Sequence, residues 1–244
     1  MTLALEVTGL TYCFGQKRAL DEVSFAVERT SFTALLGPNG AGKTTFFSLA
    51  TRLFDAPAGT IRIFGRDVTR HPGEALARLG VVFQDPTLDL DLSVVQNLRY
   101  AAALHGLKPR LAAERIEREL ARFGLFEQRH QKARRLNGGH RRRIEIARAL
   151  MHEPALLLLD EPTVGLDTPT RSQLVALVHQ LCHEEGIAVL WTTHLVDELN
   201  DEGDRVVLLQ RGRVQAQGTV PEVLAAAGAA DLHSIFGPAP ALLP

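Results

Sequence analysis

The nine residues from Gly37 to Thr45, GPNGAGKTT, constrain this chain more than any other stretch. They follow the apolar run FTALL and lead into TTFFSLATRL, which reads as a helix. In a strand, glycine-rich loop and helix taken in that order, the loop turns its backbone N–H groups inward at the helix N-terminus. There they can cradle phosphate oxygens. Lys43 is spaced to reach the outer phosphates, and the Thr44 hydroxyl is spaced to meet a divalent cation.

A second run, ALLLLDEPT, is an apolar strand that ends in the two carboxylates Asp160 and Glu161. A buried strand ending in charge requires a cation or strong donors nearby. Beside a phosphate cradle, Asp160 suits a cation and Glu161 suits a base that polarises water. After it comes TPTRSQLVALVHQLCHEEG, with Leu174, Leu177, Val178 and Leu181 on one helical face, Pro169 in the first turn and Gly186 at the end. IAVLWTTH then returns to β character. Solidly apolar strands joined through a helix indicate a parallel sheet covered on both faces. DRVVLLQRGRVQAQG reads as a hairpin around Arg211 and Gly212.

Between these β-rich parts, from about residue 87 to 153, the chain reads as a helical insertion within one α/β domain. LAAERIERELARFGL places Ile116, Leu120 and Phe123 on one stripe with charges between them. Domain boundaries at 1–230, with a loose tail over 231–244, follow from the same reading. Near the end of the insertion stands RLNGGHRRRIEIARAL, two glycines opening a helix with no strand before them and no lysine behind them. Its basic run HRRR reads as a solvated or subunit-facing surface rather than a nucleic-acid contact. Three isolated residues stand at suggestive places: Gln84 at one strand end, His194 at another, and Phe14 in YCFGQ, next but one to Tyr12. Taken singly, each is more readily a structural residue than a functional one.

Composition narrows the class. The 244 residues are 45% hydrophobic and 23% charged, enough for a sizeable core and ordinary for a folded soluble chain. A net charge of −1 gives no overall case for nucleic acid or an anionic membrane surface. Cys13 and Cys182 lie far apart without metal-ligand spacing, as expected of incidental thiols in a reducing compartment. No apolar run approaches the ~20 residues of a spanning helix, and the N-terminus does not read as a signal peptide.

In combination, these pieces resemble the nucleotide-binding subunits of the ATP-binding cassette (ABC) family from Leu5 to about Leu224. That resemblance implies a P-loop NTPase with a RecA-like parallel sheet core, an antiparallel β subdomain and an inserted helical subdomain. It assigns ATP to the loop residues Gly37, Pro38, Asn39, Gly40, Ala41, Gly42, Lys43, Thr44 and Thr45, with Phe14 stacking on the base. It assigns catalysis to Glu161, His194 and Gln84, and Mg²⁺ to Thr44, Gln84 and Asp160. It also accounts for the bare glycine pair. LNGGH resembles the family signature, in which Asn137, Gly138, Gly139 and His140 meet the γ-phosphate held by another subunit, with Asp167 nearby in VGLD. Asn137 stands where the family has serine, and His140, a histidine whose charge changes in the physiological range, where it has glutamine. An amide still offers a donor, at longer reach, and an active but slow ATPase is expected.

The implied partners are a second copy packed head to tail and transmembrane permease subunits, with no nucleic acid and no direct membrane insertion. The implied location is cytoplasmic, peripheral on the inner face of the membrane through the permease. GVVFQDPTLDLDLSVVQNLRYAAALHGL and EPTVGLD are more similar to exporter-type than importer-type ATPases. The whole chain also resembles an ATP-binding subunit encoded with quinoprotein (PQQ-dependent) alcohol dehydrogenase systems. The competing reading is a soluble ABC ATPase acting on ribosomes or DNA.

Overall fold

The computed structural model describes residues 3–200 and 203–235. The chain runs β1 (Leu3–Phe14), β2 (Lys17–Glu28), β3 (Phe32–Leu36), α1 (Lys43–Ala50), β4 (Ala58–Ile63), β5 (Arg66–Asp67), α2 (Pro72–Leu76) and β6 (Leu79–Val82). The helices α3 (Val94–Leu104), α4 (Pro109–Arg122) and α5 (Gly138–Ala149) follow. Then come β7 (Leu156–Asp160), α6 (Thr168–Glu185), β8 (Ala188–Thr193), β9 (Arg205–Gln210), β10 (Arg213–Thr219), α7 (Val220–Ala227) and α8 (Leu232–Ile235). Two sheets result. One is antiparallel in the order β2-β1-β4-β5; the other has the order β10-β9-β3-β8-β7-β6. In the second, β9, β3, β8, β7 and β6 pair in parallel and β10 closes the edge as the antiparallel arm of a hairpin.

The solidly apolar strands are explained by two cores, one on each face of this sheet. Successive side chains of a strand point to opposite faces. In β7, Leu157 and Leu159 join the core built with α3, α4, α5 and α6, while Leu156 and Leu158 join the core under the antiparallel sheet. Strand β8 divides the same way, with Val189 and Trp191 on one face and Ala188 and Leu190 on the other. Both faces are dry, so β7 reads as unbroken leucine.

The helical insertion forms between β6 and β7 as expected. Ser93 opens α3 with a capping box: its hydroxyl accepts from the Gln96 N–H and the Gln96 side chain accepts from the Ser93 N–H. Ile116, Leu120 and Phe123 are buried as a stripe along α4. In α6, Leu174, Val178 and Leu181 face the core and Gly186 ends the helix in the left-handed region. The tail expected to be loose from 231 is not so at its start. Leu232–Ile235 is helical because Leu232 buries against Val206, Leu208, Val220 and Val223. From 236 the tail lies outside the described residues. Cys13 is exposed; Cys182 is buried, and that burial pushes its thiol up to about 11.

Candidate functional site

The loop between β3 and α1 is shaped by backbone that only glycine tolerates. Gly42 sits at φ 114°, and a Cβ there would lie 2.8 Å from the Ala19 carbonyl oxygen. At Gly37 a Cβ would strike the Leu209 carbonyl. Lys43 is 4% exposed and folds back under the loop. Its ammonium donates to the carbonyls of Gly37 at 2.7 Å and Pro38 at 3.3 Å, and pairs with Glu161 Oε1 at 3.1 Å. Helix α1 has no side-chain cap, so its first N–H groups are not spent on the helix's own N-cap residue.

The ends of β7 and β8 bring up the acids and the histidine. Asp160 Oδ1 accepts from the Thr192 hydroxyl at 2.5 Å. Burial pushes the Asp160 carboxyl up; Glu161 adds to that, while the hydroxyls of Thr192 and Thr44 and the Lys43 charge oppose it. Glu161 has its backbone in the left-handed region, at φ 42°, pinned where its N–H meets the carbonyl and hydroxyl oxygens of Thr192. For a side chain this conformation is strained, and it aims the carboxylate across the loop. One oxygen of Glu161 meets Lys43; the other lies 3.1 Å from His194 Nδ1. That contact requires the proton on Nδ1 and leaves Nε2 facing outward.

These groups line a cleft of about 670 Å³ together with Phe14, Asn39, Gly40, Gly42, Thr44, Thr45 and Gln84. Phe14 is 49% exposed, its ring held edge-on by Tyr12 at 5.0 Å and Phe54 at 6.1 Å. Gly37, Pro38, Ala41 and Asp160 do not line the cleft. Asn137, Gly138, Gly139, His140 and Asp167 do not line the cleft at all. They gather instead where α5 and α6 begin. Asn137 caps α5, its Oδ1 accepting from the His140 N–H at 2.8 Å, and Asp167 caps α6, accepting from the Thr170 N–H at 3.1 Å. The two starts touch: a Cβ on Gly139 would lie 2.5 Å from Thr170 Cγ2, and one on Gly138 would sit 3.5 Å from Leu166. The chain thus presents a glycine-rich loop in its cleft and a separate glycine-led helix start on its surface.

A family profile described as ABC transporter matches residues 20–164. The chain is 37% identical over 247 residues to the daunorubicin resistance ATP-binding protein DrrA3 of Streptomyces coeruleorubidus, a match covering 99% of this chain and 78% of that one. The chain belongs to the ABC transporter ATP-binding family. A solved structure of cbiO1 from Clostridium perfringens, part of an ABC transporter complex, superposes with a TM-score of 0.83 at 30% identity, covering 92% of each chain. A dimeric ATP-binding cassette in a post-hydrolysis state, bound to ADP and Pi, superposes with a TM-score of 0.76 at 25% identity, covering 88% of this chain and 98% of that one.

The cassette also contains site residues that the sequence did not announce. Lys17, Arg18 and Arg211 line the cleft around Phe14 and Lys43. Glu198, 1% exposed, binds the loop of His194 to its surroundings, accepting from Trp191 Nε1 at 2.9 Å, from Thr193 at 2.5 Å and from the Thr163 hydroxyl. A carboxylate four residues after His194 was the available signal. The basic run differs from expectation. Arg142 is buried and donates to the carbonyls of Phe83 and Gln84, whereas Arg141, bonded to the carbonyls of Ala133 and Arg134, and Arg143, bonded to Gln173, stay partly exposed.

The oxygens of Thr44 and Asp160 form a hard donor set beside the loop. Among the described residues no cluster of three or more His, Cys, Asp or Glu forms a metal cage. A hard-oxygen pair without a cage fits Mg²⁺, which would take its remaining ligands from phosphate and water. Among the described residues no helix is long and apolar enough to cross a membrane.

Proposed function

We propose that the chain binds Mg²⁺–ATP in this cleft and hydrolyses it as the motor subunit of a membrane exporter. The observation that carries the reading is Glu161, held between Lys43 and His194 at the mouth of the phosphate loop. Thr44, Asp160 and Gln84 would hold Mg²⁺, and the ion would supply charge neutralisation to the phosphates. The γ-phosphate of ATP competes for Lys43 and releases Glu161 Oε1 to take a proton from water. His194, anchored through Nδ1–H, keeps Glu161 oriented, and as the imidazolium, with Nε2 protonated as well, it donates to the phosphate. Phe14 supplies the face on which the adenine ring stacks.

Asn137, Gly138, Gly139, His140 and Asp167 serve a second copy. Two cassettes pack head to tail, and each signature closes on the γ-phosphate held by the other. A dimeric relative is consistent with this arrangement. The cassette comprises residues 1–230, and transmembrane permease subunits hold it at the inner face of the membrane. The relative named for drug resistance supports the exporter reading, not the narrower quinoprotein-associated one.

Steady-state phosphate release tests the chemistry. Lys43→Ala lowers ATP affinity by about 10- to 100-fold, because charge-assisted bonds to phosphate are lost. Glu161→Gln keeps ATP binding and loses about 10²- to 10⁴-fold in kcat, the usual worth of a general base. Wild-type turnover by Glu161→Gln would remove Glu161 from that role.

A further inference from the structure

Helix α5 does two things at its two ends. Its first residues are the signature glycines. One to three turns later it grips the segment that carries Gln84. Arg142 Nη1 donates to the Phe83 carbonyl at 2.6 Å and Nη2 to the Gln84 carbonyl at 2.9 Å. The same guanidinium pairs with Glu145 Oε2 at 2.8 Å, and Glu145 Oε1 accepts from the Thr87 N–H at 2.7 Å. Arg148 adds a bond of 2.8 Å to the Thr87 carbonyl and another to the Thr87 hydroxyl. Arg142 and Glu145 are both buried. The segment Phe83–Thr87 has no ladder partner of its own here, since β6 ends at Val82, so these side chains supply the bonds a strand would.

A buried ion pair is weak evidence for stability, because desolvation offsets most of the attraction. The geometry gives this one another use. Glu145 lies seven residues after Gly138, roughly 10 Å along a rigid helix. A displacement of the signature end reaches Phe83–Thr87 through side chains that are bonded at both ends. We propose that Arg142 and Glu145 are positioning residues that link the signature to Gln84, so that docking of a second copy's phosphate on α5 sets Gln84 in this copy's own cleft. The link rests on the trans-acting signature proposed above. It makes the two clefts of the dimer report to each other through one helix in each chain.

A double-mutant cycle tests it. Replacing the pair together, Arg142→Met with Glu145→Leu, removes both charges while keeping volume and frees the Phe83 and Gln84 carbonyls and the Thr87 N–H from these partners. The expected result is a fall in kcat of about 10- to 100-fold, the usual penalty of a misplaced group, with ATP affinity held within about two-fold. In a Gln84→Ala background the same replacement costs less than about two-fold, because the group it positions is already gone. Equal losses in both backgrounds overturn the proposal, since a merely structural pair would act without Gln84. If thermal unfolding shows that the double replacement does not fold, Arg148→Met, which loosens Thr87 from a half-buried site, runs the same cycle with the same two outcomes. Light scattering of Glu161→Gln with ATP separates the premises. Absence of an ATP-driven dimer overturns the trans reading and this link with it, whereas a dimer alongside equal losses overturns the link alone.

Discussion

Helix α1 starts at Lys43 behind Gly42, and helix α5 starts at Gly138 behind Asn137. The first start has no side-chain cap and carries its own buried cation, Lys43, with a carboxylate 3.1 Å away. The second is exposed, has its third N–H taken by Asn137, and has every arginine of the adjacent run bonded elsewhere in the chain. Both ends attract anions through the helix dipole and free N–H groups. Only the first can hold a highly charged ligand unaided. In the head-to-tail dimer proposed above, the second meets a phosphate already neutralised by another chain's lysine and cation. The difference lies in the neighbours, not in the glycines.

The largest expected effect comes from exchanging those glycines for alanine. Gly42→Ala forces a side chain into the left-handed region against the Ala19 carbonyl, at a cost of about 1–3 kcal/mol. Gly138→Ala meets only ordinary contact at 3.5 Å and gains up to about 1 kcal/mol of helix propensity. Thermal unfolding should show a clear fall for the first and none for the second; equal falls would break the comparison.

A charge at the second start is the next test. Gly138→Asp in the Glu161→Gln background should weaken the ATP-driven dimer by about ten-fold or more, since like charges some 4 Å apart near a surface repel by up to ~4 kcal/mol. ATP affinity of the single chain should stay within about two-fold. Gly138 is the better site than Gly139, where any side chain strikes Thr170. Light scattering and equilibrium binding measure the two quantities, and an undiminished dimer would mean that α5 does not await a phosphate.

The smallest effect concerns Asn137. Read from the sequence, its amide is a handicap that must be frozen into one rotamer. The cap already freezes it: Oδ1 accepts from the His140 N–H, so the amide NH₂ is turned outward as a donor. Serine caps equally well. Asn137→Ser should therefore raise kcat by no more than about three-fold, with ATP affinity unchanged. A ten-fold gain in steady-state phosphate release would restore the view of Asn137 as a defect.

What could be read from the sequence divides along the same line. The loop from Gly37 to Thr45 is local, so spacing alone reveals it. The alternate leucines of β7 and the caps of α6 are local too. Gln84 and His194 had no local mark and became legible only through their order among the other motifs. Arg142 was misread because its partners lie 58 and 59 residues away, and a run of arginines at a helix start resembles a wet surface. Glu198 escaped for the same reason, since Thr163 stands 35 residues from it. Contacts that close the chain on itself over such distances leave no periodicity to find. The helix at Leu232–Ile235 escaped because one buried leucine is too little pattern to call.

The chain has a single tryptophan, and the fold has put it in an informative place. Trp191 is fully buried, three residues before His194, with its indole N–H bonded to the same Glu198 carboxylate that holds the histidine's loop. Indole emission responds to burial and to the charge beside its nitrogen. The protein therefore carries an unlabelled optical reporter of the strand that delivers its histidine. A fluorimeter can follow that strand through nucleotide binding, hydrolysis and release without any added dye.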